Sequence, residues 1–565
     1  MKRTAAGVST PGPPARRWQE IVRFGDLLLH AADRDVDREA VVFPQSRLTY
    51  GDLEKRAFAV ARGLVALGVR PHSRVGILMA NCPEFVELLF GISLAGAVMV
   101  PINARFAPRE LGYVIENADL EVLFTSDAIV EHVDYVDRLR RALPSLTEHA
   151  PGGELRLREA PDLRAIVLLG GRDSPGMMSA AEFAACSADA SDEHVMRLHL
   201  RTAVRGVALM MYTSGTTANP KGCLLSHEAL VRTAVVAGRT RFGFRREDRF
   251  WDPLPMFHMS AILPLIGVFD AGATFMSMTH FDADTALRML DDERATVSFS
   301  TFPAITQALL NHPDYHRDRW RRIRLINNVA PPDTLRGMQE RMPHTVQISS
   351  YGLTECGGVV SFNDPADTLE QRCTTSGTPF DGIEVEISDL VTAQRLEPEE
   401  VGEILVRGYC VFDGYHKDPQ RTADVLDDDG WVHTGDIGSL TVDGRIRYLG
   451  RTKDMLKVGG ENVAAIEIES YLATHPAVSI AAVVGVPDPR YMEVAAAFIQ
   501  LRPGAQASEE EIVEFCRRGL ASFKVPRHVR FVQQWPMSAT KIQKFRLAEQ
   551  LARELAEARS AGSAG

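Results

Sequence analysis

Three things are scarce or absent in this sequence, and each absence closes a class of function. The seven cysteines, at positions 82, 186, 223, 356, 373, 410 and 516, form no CxxC pair and no regular framework. That spacing excludes a disulfide scaffold or thiolate metal centre and reads as reduced, mostly buried thiols in the cytosol. No apolar run reaches the roughly 20 residues that a membrane-spanning helix needs. The longest, Leu88–Ile102, covers 15 residues and is interrupted by two glycines, Ser93 and Pro101, so it reads as a buried helix followed by a strand. Basic charge is not in excess: the formal charge is -11 at pH 7, which argues against a general nucleic-acid binder. Met1–Arg17 lacks the apolar core of a signal peptide and reads as a flexible tail, as do residues 554–565. A cytoplasmic location follows from these absences, and no internal repeat is present.

What is there is a chain of 565 residues, 45% hydrophobic, long enough for several structural units with large cores. From Trp18 to Ala118 helical and extended patterns alternate: a helix closes over Arg62–Gly68, Arg74–Met79 is a strand, and Pro83–Leu94 is helical again. This rhythm predicts a mostly parallel sheet covered by helices, an α/β fold. Residues 150–200 are irregular and predict a surface insertion, and the alternation resumes from Val207 to Leu325. From Gly382 to Tyr448 the pattern turns to short strands (Val385–Ser388, Gly402–Val406, Arg445–Leu449) and predicts a β-rich subdomain. A small α+β unit follows, with helices near Ala465–Ala473 and Glu509–Ser522, and the charged run Arg451–Asp454 marks the join.

Four segments carry chemistry. Tyr212–Gly222 packs four Ser/Thr hydroxyls, two glycines and Lys221 into one connection after a strand. Freed backbone amides, hydroxyls and a cation are what a polyphosphate needs. It is not a Walker loop, because Lys221 is not followed by Ser or Thr. Ser349–Glu355 holds an aromatic that can stack on a base (Tyr351), a hydroxyl (Thr354) and a carboxylate (Glu355) suited to Mg2+. Trp431–Asp436 offers an Asp for ribose hydroxyls, and Gly450–Val463 combines basic residues with adjacent glycines that permit close backbone approach. Each alone reads equally well as a solvated turn, a capping acid, an Asx turn or a basic loop.

In this order and spacing, the four segments resemble the ANL superfamily of adenylate-forming enzymes, over roughly Ala40–Phe545. Asn81–Phe85, Val100–Arg105 and Gly459–Val463 look most like the crotonobetaine/carnitine-CoA ligase branch. The resemblance implies a large AMP-binding domain over 18–450, a hinge at 451–454 centred on Lys453, and a small mobile domain over 455–553. It implies that Thr213, Ser214, Gly215, Thr216, Thr217 and Lys221 hold the ATP phosphates. Tyr351 then lies against adenine, Thr354 touches phosphate, Glu355 holds Mg2+, and Asp436 and Arg451 fix the ribose. Lys457, Gly459, Gly460 and Glu461 line the path of CoA, the co-substrate. The acyl pocket is expected at Trp251, His258, Ser260, Ala330, Gly357 and Gly358; small residues there suit a bulky natural-product acid. The implied reaction joins a carboxylic acid to CoA through acyl-AMP, with the small domain alternating between the two steps.

One departure matters. Relatives read Pro-Met-Thr-x-Thr-Gly-Lys-Ile-Gln-Lys around the catalytic lysine, whereas this chain reads Pro536-Met537-Ser538-Ala539-Thr540-Lys541-Ile542-Gln543-Lys544. Lys541 aligns with the catalytic lysine, one residue short and without its glycine. A misplaced Lys541 impairs adenylation alone, so the enzyme takes an acyl-adenylate from a separate adenylating enzyme; a relaxed loop leaves a complete ATP-dependent ligase. A second departure is Asn327-Asn328-Val329-Ala330-Pro331 where relatives are glycine-rich. A carrier-protein-loading enzyme, a non-catalytic adenylate-binding protein and a luciferase-like oxygenase are the other readings.

Overall fold

The computed structural model describes residues 23–562 apart from 153, 214–218, 453–454, 459–460, 489–490 and 538–541. Short aliphatic runs between turn residues become strands buried on both faces, the pattern of a parallel sheet covered by helices. Arg74–Leu78, Val98–Pro101, Leu120–Ser126 and Ala165–Leu169 run parallel, and Val207–Thr213 joins them beside Val98–Pro101. Lys221–Ser226 and Gly414–Tyr415 extend this sheet antiparallel, and Met178–Ser179 ends its other edge. The expected helix over Pro83–Leu94 is present, with proline in its first turn and ten buried residues. The helix leading to Gly68 starts at Tyr50, capped by the Thr49 hydroxyl accepting from the Asp52 N–H.

Residues 150–200 are not a surface insertion. Ala165–Leu169 pairs with Leu120–Ser126 over five residues, and the helices Ala180–Cys186 and Asp192–Arg201 follow it. Four of the five strand residues are buried; the apolar run was masked by the glycine- and alanine-rich sequence around it.

A second sheet takes the order Val346–Ile348, Leu325–Asn328, Val297–Thr301, Arg249–Trp251, Thr274–Met276, Glu39–Phe43 and Ser46–Thr49, all parallel except the last hairpin. One core joins both sheets, with Phe90 stacked on Phe269 at 5.0 Å between centroids and Phe250 on Phe275 at 6.0 Å. The β-rich subdomain is an antiparallel sheet of Ile383–Ser388, Gly402–Gly408, Val432–Leu440 and Ile446–Arg451.

A further sheet begins at Met455. Its two longest strands, Val478–Asp488 and Met492–Leu501, divide two separate cores. Val483 faces Leu456 and Ile468, and the next residue, Val484, faces the core containing Leu551 of helix Lys544–Gly562. This is the period-two alternation of a strand covered on both sides. Among the described residues no helix is long and apolar enough to cross a membrane. All seven cysteines are free thiols, five of them buried.

Candidate active site

The phosphate-side corner is built by strand ends. Thr213 closes one strand and pairs directly with Lys221, which opens the next, so residues 214–220 connect an antiparallel pair. Ser214, Gly215, Thr216 and Thr217 lie outside the described residues. Opposite Lys221, the turn Thr354–Cys356 ends at Gly357, whose φ of +67° suits only glycine comfortably. Glu355 and Lys221 meet through Tyr415. The Tyr415 hydroxyl donates to Glu355 Oε1 at 2.7 Å, and Lys221 Nζ lies 4.7 Å from the Tyr415 ring centroid.

The nucleoside side is a second cluster. Tyr351 is buried, and its hydroxyl donates to Asp436 Oδ2 at 2.9 Å. Burial, helped by the Asp436 charge, pushes the Tyr351 phenol well above its usual range, so it keeps its proton and donates it to Asp436. Arg451 Nε lies 3.1 Å from Asp436 Oδ1, because the two residues are paired across neighbouring strands. Tyr448, from the same strand as Arg451, stacks on Tyr351 at 5.9 Å and 29°. Four residues from three distant segments therefore form one aromatic and charged wall. Sequence reasoning placed three of them and missed Tyr448, whose only signal was its position three residues before Arg451.

The acyl-pocket candidates do not all converge. His258 precedes helix Met259–Ala271 at its N-cap position, Ser260 lies in the first turn, and Met259 of the same turn meets Gly358. A Cβ on Gly358 would sit 3.0 Å from Met259 Cβ, and one on Gly357 3.3 Å from the Cys410 carbonyl. The space beside these two glycines is therefore taken by their neighbours, and their size by itself does not argue for a bulky acid. Trp251 is fully buried in another core with Val42, Met276, Met289 and Leu290, against which Ala330 also packs. Trp251 is thus a packing residue. Trp251→Ala is expected to cost about 3–5 kcal/mol of stability in urea unfolding, with acyl preference unaltered. Asn327 and Asn328 are likewise structural, since Asn328 accepts from the Thr306 hydroxyl at 2.6 Å and donates to Gln347 Oε1 at 3.0 Å. Val329 is 39% exposed at the end of this strand.

Lys541, Lys453, Gly459 and Gly460 lie outside the described residues, and of Lys457 and Glu461 only the backbone is described, in the paired strands Met455–Val458 and Glu461–Ala464. The flanks of Lys541 are informative. Met537 bridges Ile542, the Gln543 N–H donates to the Pro536 carbonyl at 2.7 Å, and Lys544 Nζ lies 2.7 Å from Glu469 Oε1. Lys544 also lines a small cavity of about 50 Å³ with Tyr448, Gly450, Arg451, Met455, Ala465 and Ile466. Lys544, three positions after Lys541 in the sequence, thus lies beside Tyr448 and Arg451 of the nucleoside cluster.

The donor set fits Mg2+ with a nucleotide: Glu355 offers a hard oxygen ligand already oriented through its other oxygen, with Lys221 across the corner. Arg451, Asp436 and Tyr351 offer polar groups to a nucleoside.

The chain is similar to known proteins over most of its length. Residues 28–416 match the family described as AMP-binding enzyme, and residues 467–541 match the AMP-binding enzyme C-terminal domain. YngI of Bacillus subtilis (strain 168), named as an acyl-CoA synthetase, is 32% identical over 93% of this chain and 96% of its own. The mitochondrial medium-chain acyl-CoA ligase ACSF2 of Rattus norvegicus is 31% identical over 94% of this chain and 88% of its own. Among solved structures, the anthranilate CoA ligase AuaEII in complex with anthranoyl-AMP superposes with a TM-score of 0.82 at 26% identity, covering 95% of this chain and 98% of its own. ATP-bound MatB from Rhodopseudomonas palustris does so with a TM-score of 0.79 at 27% identity, covering 94% and 99%.

Proposed function

The chain belongs to the AMP-binding enzyme family and is an acyl-CoA ligase working through acyl-AMP; beyond that, we propose that it thioesterifies a preformed acyl-adenylate well and adenylates free acid poorly. In the first half-reaction a carboxylate attacks the α-phosphorus of ATP and pyrophosphate leaves. Lys221 and the Thr213–Thr217 segment hold the phosphates, Thr354 touches them, and Asp436, Arg451 and Tyr351 hold the nucleoside. Mg2+ carried by Glu355 would offset the phosphate charge. In the second half-reaction the CoA thiolate attacks the acyl carbonyl and expels AMP, with CoA passing the Lys457–Glu461 segment. The small domain turns about Lys453 between the steps. Both steps develop charge, so prearranged cations and dipoles are the main catalytic resource.

The observation that carries the reading is the short span before Lys544. Met537 and Ile542 are bridged, and only Ser538, Ala539, Thr540 and Lys541 lie between them. Lys541 serves adenylation and faces away during thioesterification, so a shortened presentation affects one step and spares the other. A separate enzyme then supplies the adenylate. One observation favours a complete two-step ligase instead: Lys221, Glu355, Asp436 and Arg451 are all assembled. The names of the relatives widen the acyl panel to medium-chain acids and anthranilate beside polycyclic acids.

The test measures CoA-thioester formation from each acid as synthetic adenylate plus CoA and as free acid plus ATP and CoA. The proposal expects the adenylate route to run about 10²–10³-fold faster. Equal rates contradict it and leave the complete ligase; thioester formed only on a phosphopantetheinyl carrier and never on CoA points to carrier loading.

A further inference from the structure

Tyr415 belongs to none of the chemical motifs, yet it touches both charged groups of the phosphate corner. Its hydroxyl donates to Glu355 Oε1 at 2.7 Å, and its ring faces the Lys221 ammonium. Phe412 packs edge-on to that ring at 4.9 Å, and its N–H donates to the Glu355 carbonyl at 2.9 Å. We infer that Tyr415 is a positioning residue for the metal-binding carboxylate, fixing Glu355 in the rotamer that offers its second oxygen to Mg2+ on ATP. This rests on the reading of Glu355 as the Mg2+ ligand.

The fold holds Tyr415 from several sides. It pairs with Cys223 across the strand that Lys221 opens, so ring and ammonium belong to one sheet edge. Its N–H donates to Thr422 Oγ1 at 2.9 Å, and the His416 N–H donates to the Gly222 carbonyl at 2.8 Å. The next two side chains reach Asp119: His416 Nε2 lies 3.3 Å from Oδ2, and Lys417 Nζ bonds Oδ1. Arg74 approaches the same carboxylate at 3.7 Å. Lys417 and Asp119 have φ of +55° and +47°, a region that non-glycine residues keep only where the surroundings over-determine it. Such an anchored segment presents Tyr415 at one height and angle.

The chemistry gives the hydroxyl its effect. A carboxylate free to rotate presents either oxygen at varied angles, whereas Mg2+ demands near-ideal octahedral geometry. A hydrogen bond to one carboxylate oxygen removes that freedom. A phenol carries its proton at neutral pH, and a carboxylate oxygen can only accept it, so the bond runs from Tyr415 to Glu355.

The test is calorimetric titration of the full chain with ATP, with and without Mg2+, for the natural protein and Tyr415→Phe. The natural chain is expected to bind ATP more tightly with Mg2+ present. Tyr415→Phe, which keeps the ring facing Lys221, is expected to lose about 10-fold in affinity with Mg2+ and little without it. Tyr415→Leu, which removes the ring too, is expected to weaken both. Thermal unfolding of each variant identifies one that fails to fold, and Tyr415→Phe then carries the test because it keeps the buried ring. Equal losses with and without Mg2+, an unchanged Mg2+ effect in Tyr415→Phe, or natural ATP binding indifferent to Mg2+ would each overturn the inference. If the natural chain makes no thioester from any adenylate and yet shows the Mg2+-specific loss, the ligase reading fails and the positioning role stands.

Discussion

Inserting a glycine between Thr540 and Lys541 is expected to raise acid-dependent ATP–pyrophosphate exchange by about 10²–10³-fold, the scale of one restored transition-state contact. Thioester formation from preformed acyl-adenylate should change little. The Gln543 N–H is tied to the Pro536 carbonyl, and Met537 is bridged to Ile542. Beyond them Lys544 pairs with Glu469, which also accepts the Val483 N–H at 2.6 Å and is 9% exposed. The flanks therefore have little slack to lend the residues between. One extended residue adds about 3.3 Å of reach, and catalytic groups must sit well within about 1 Å of their working position. Glycine also opens the φ > 0 region at that turn. Exchange that stays flat or falls in the inserted chain would show that the natural loop already presents Lys541 correctly.

Glu355→Gln is expected to lower adenylation by about 10²–10³-fold and thioesterification much less. The experiment belongs in the glycine-inserted chain, where the first step is large enough to follow. Glutamine keeps a carbonyl oxygen for the Tyr415 hydroxyl, so the corner should stay folded while the negative charge is lost. Pyrophosphate has left before CoA attacks, which removes most of the charge that Glu355 helps to organise. Measuring the two half-reactions separately decides the matter: losses of equal size would place Glu355 in general site architecture and not in phosphate handling.

The sequence made much of the scaffold legible where local signals agree. Pro83–Leu94 has a proline start and an apolar interior, and its limits in the structure are those of the sequence pattern. Ala465–Ala473 behaves likewise. Trp251 shows where such reading stops. Its strand is buried on both faces, and nothing in the pattern of Phe250, Trp251 and Asp252 says which face borders a ligand; Phe250 joins the inter-sheet core and Trp251 the other. Tyr415 was invisible for a different reason. It lies 60 residues from Glu355 in a two-residue strand, so only the three-dimensional pairing brings them together.

The branch resemblance had the same weakness. Asn81 donates to the Leu254 carbonyl and accepts from the Met256 N–H, both at 2.8 Å. It shapes the connection after the Trp251 strand, a duty of the fold that carries no information about the acyl group. The relatives named above are YngI and ACSF2, so the family is secure while the crotonobetaine/carnitine assignment is not supported by that segment.

The most direct measurement is a single turnover in which excess enzyme is mixed with a synthetic acyl-adenylate and CoA, and acyl-CoA and AMP are followed together. The account predicts that both appear at the same rate and in equal amounts, and that omitting CoA stops AMP release. Adenylate that stays bound, or is hydrolysed to acid and AMP with no thioester formed across the acyl panel, would contradict it.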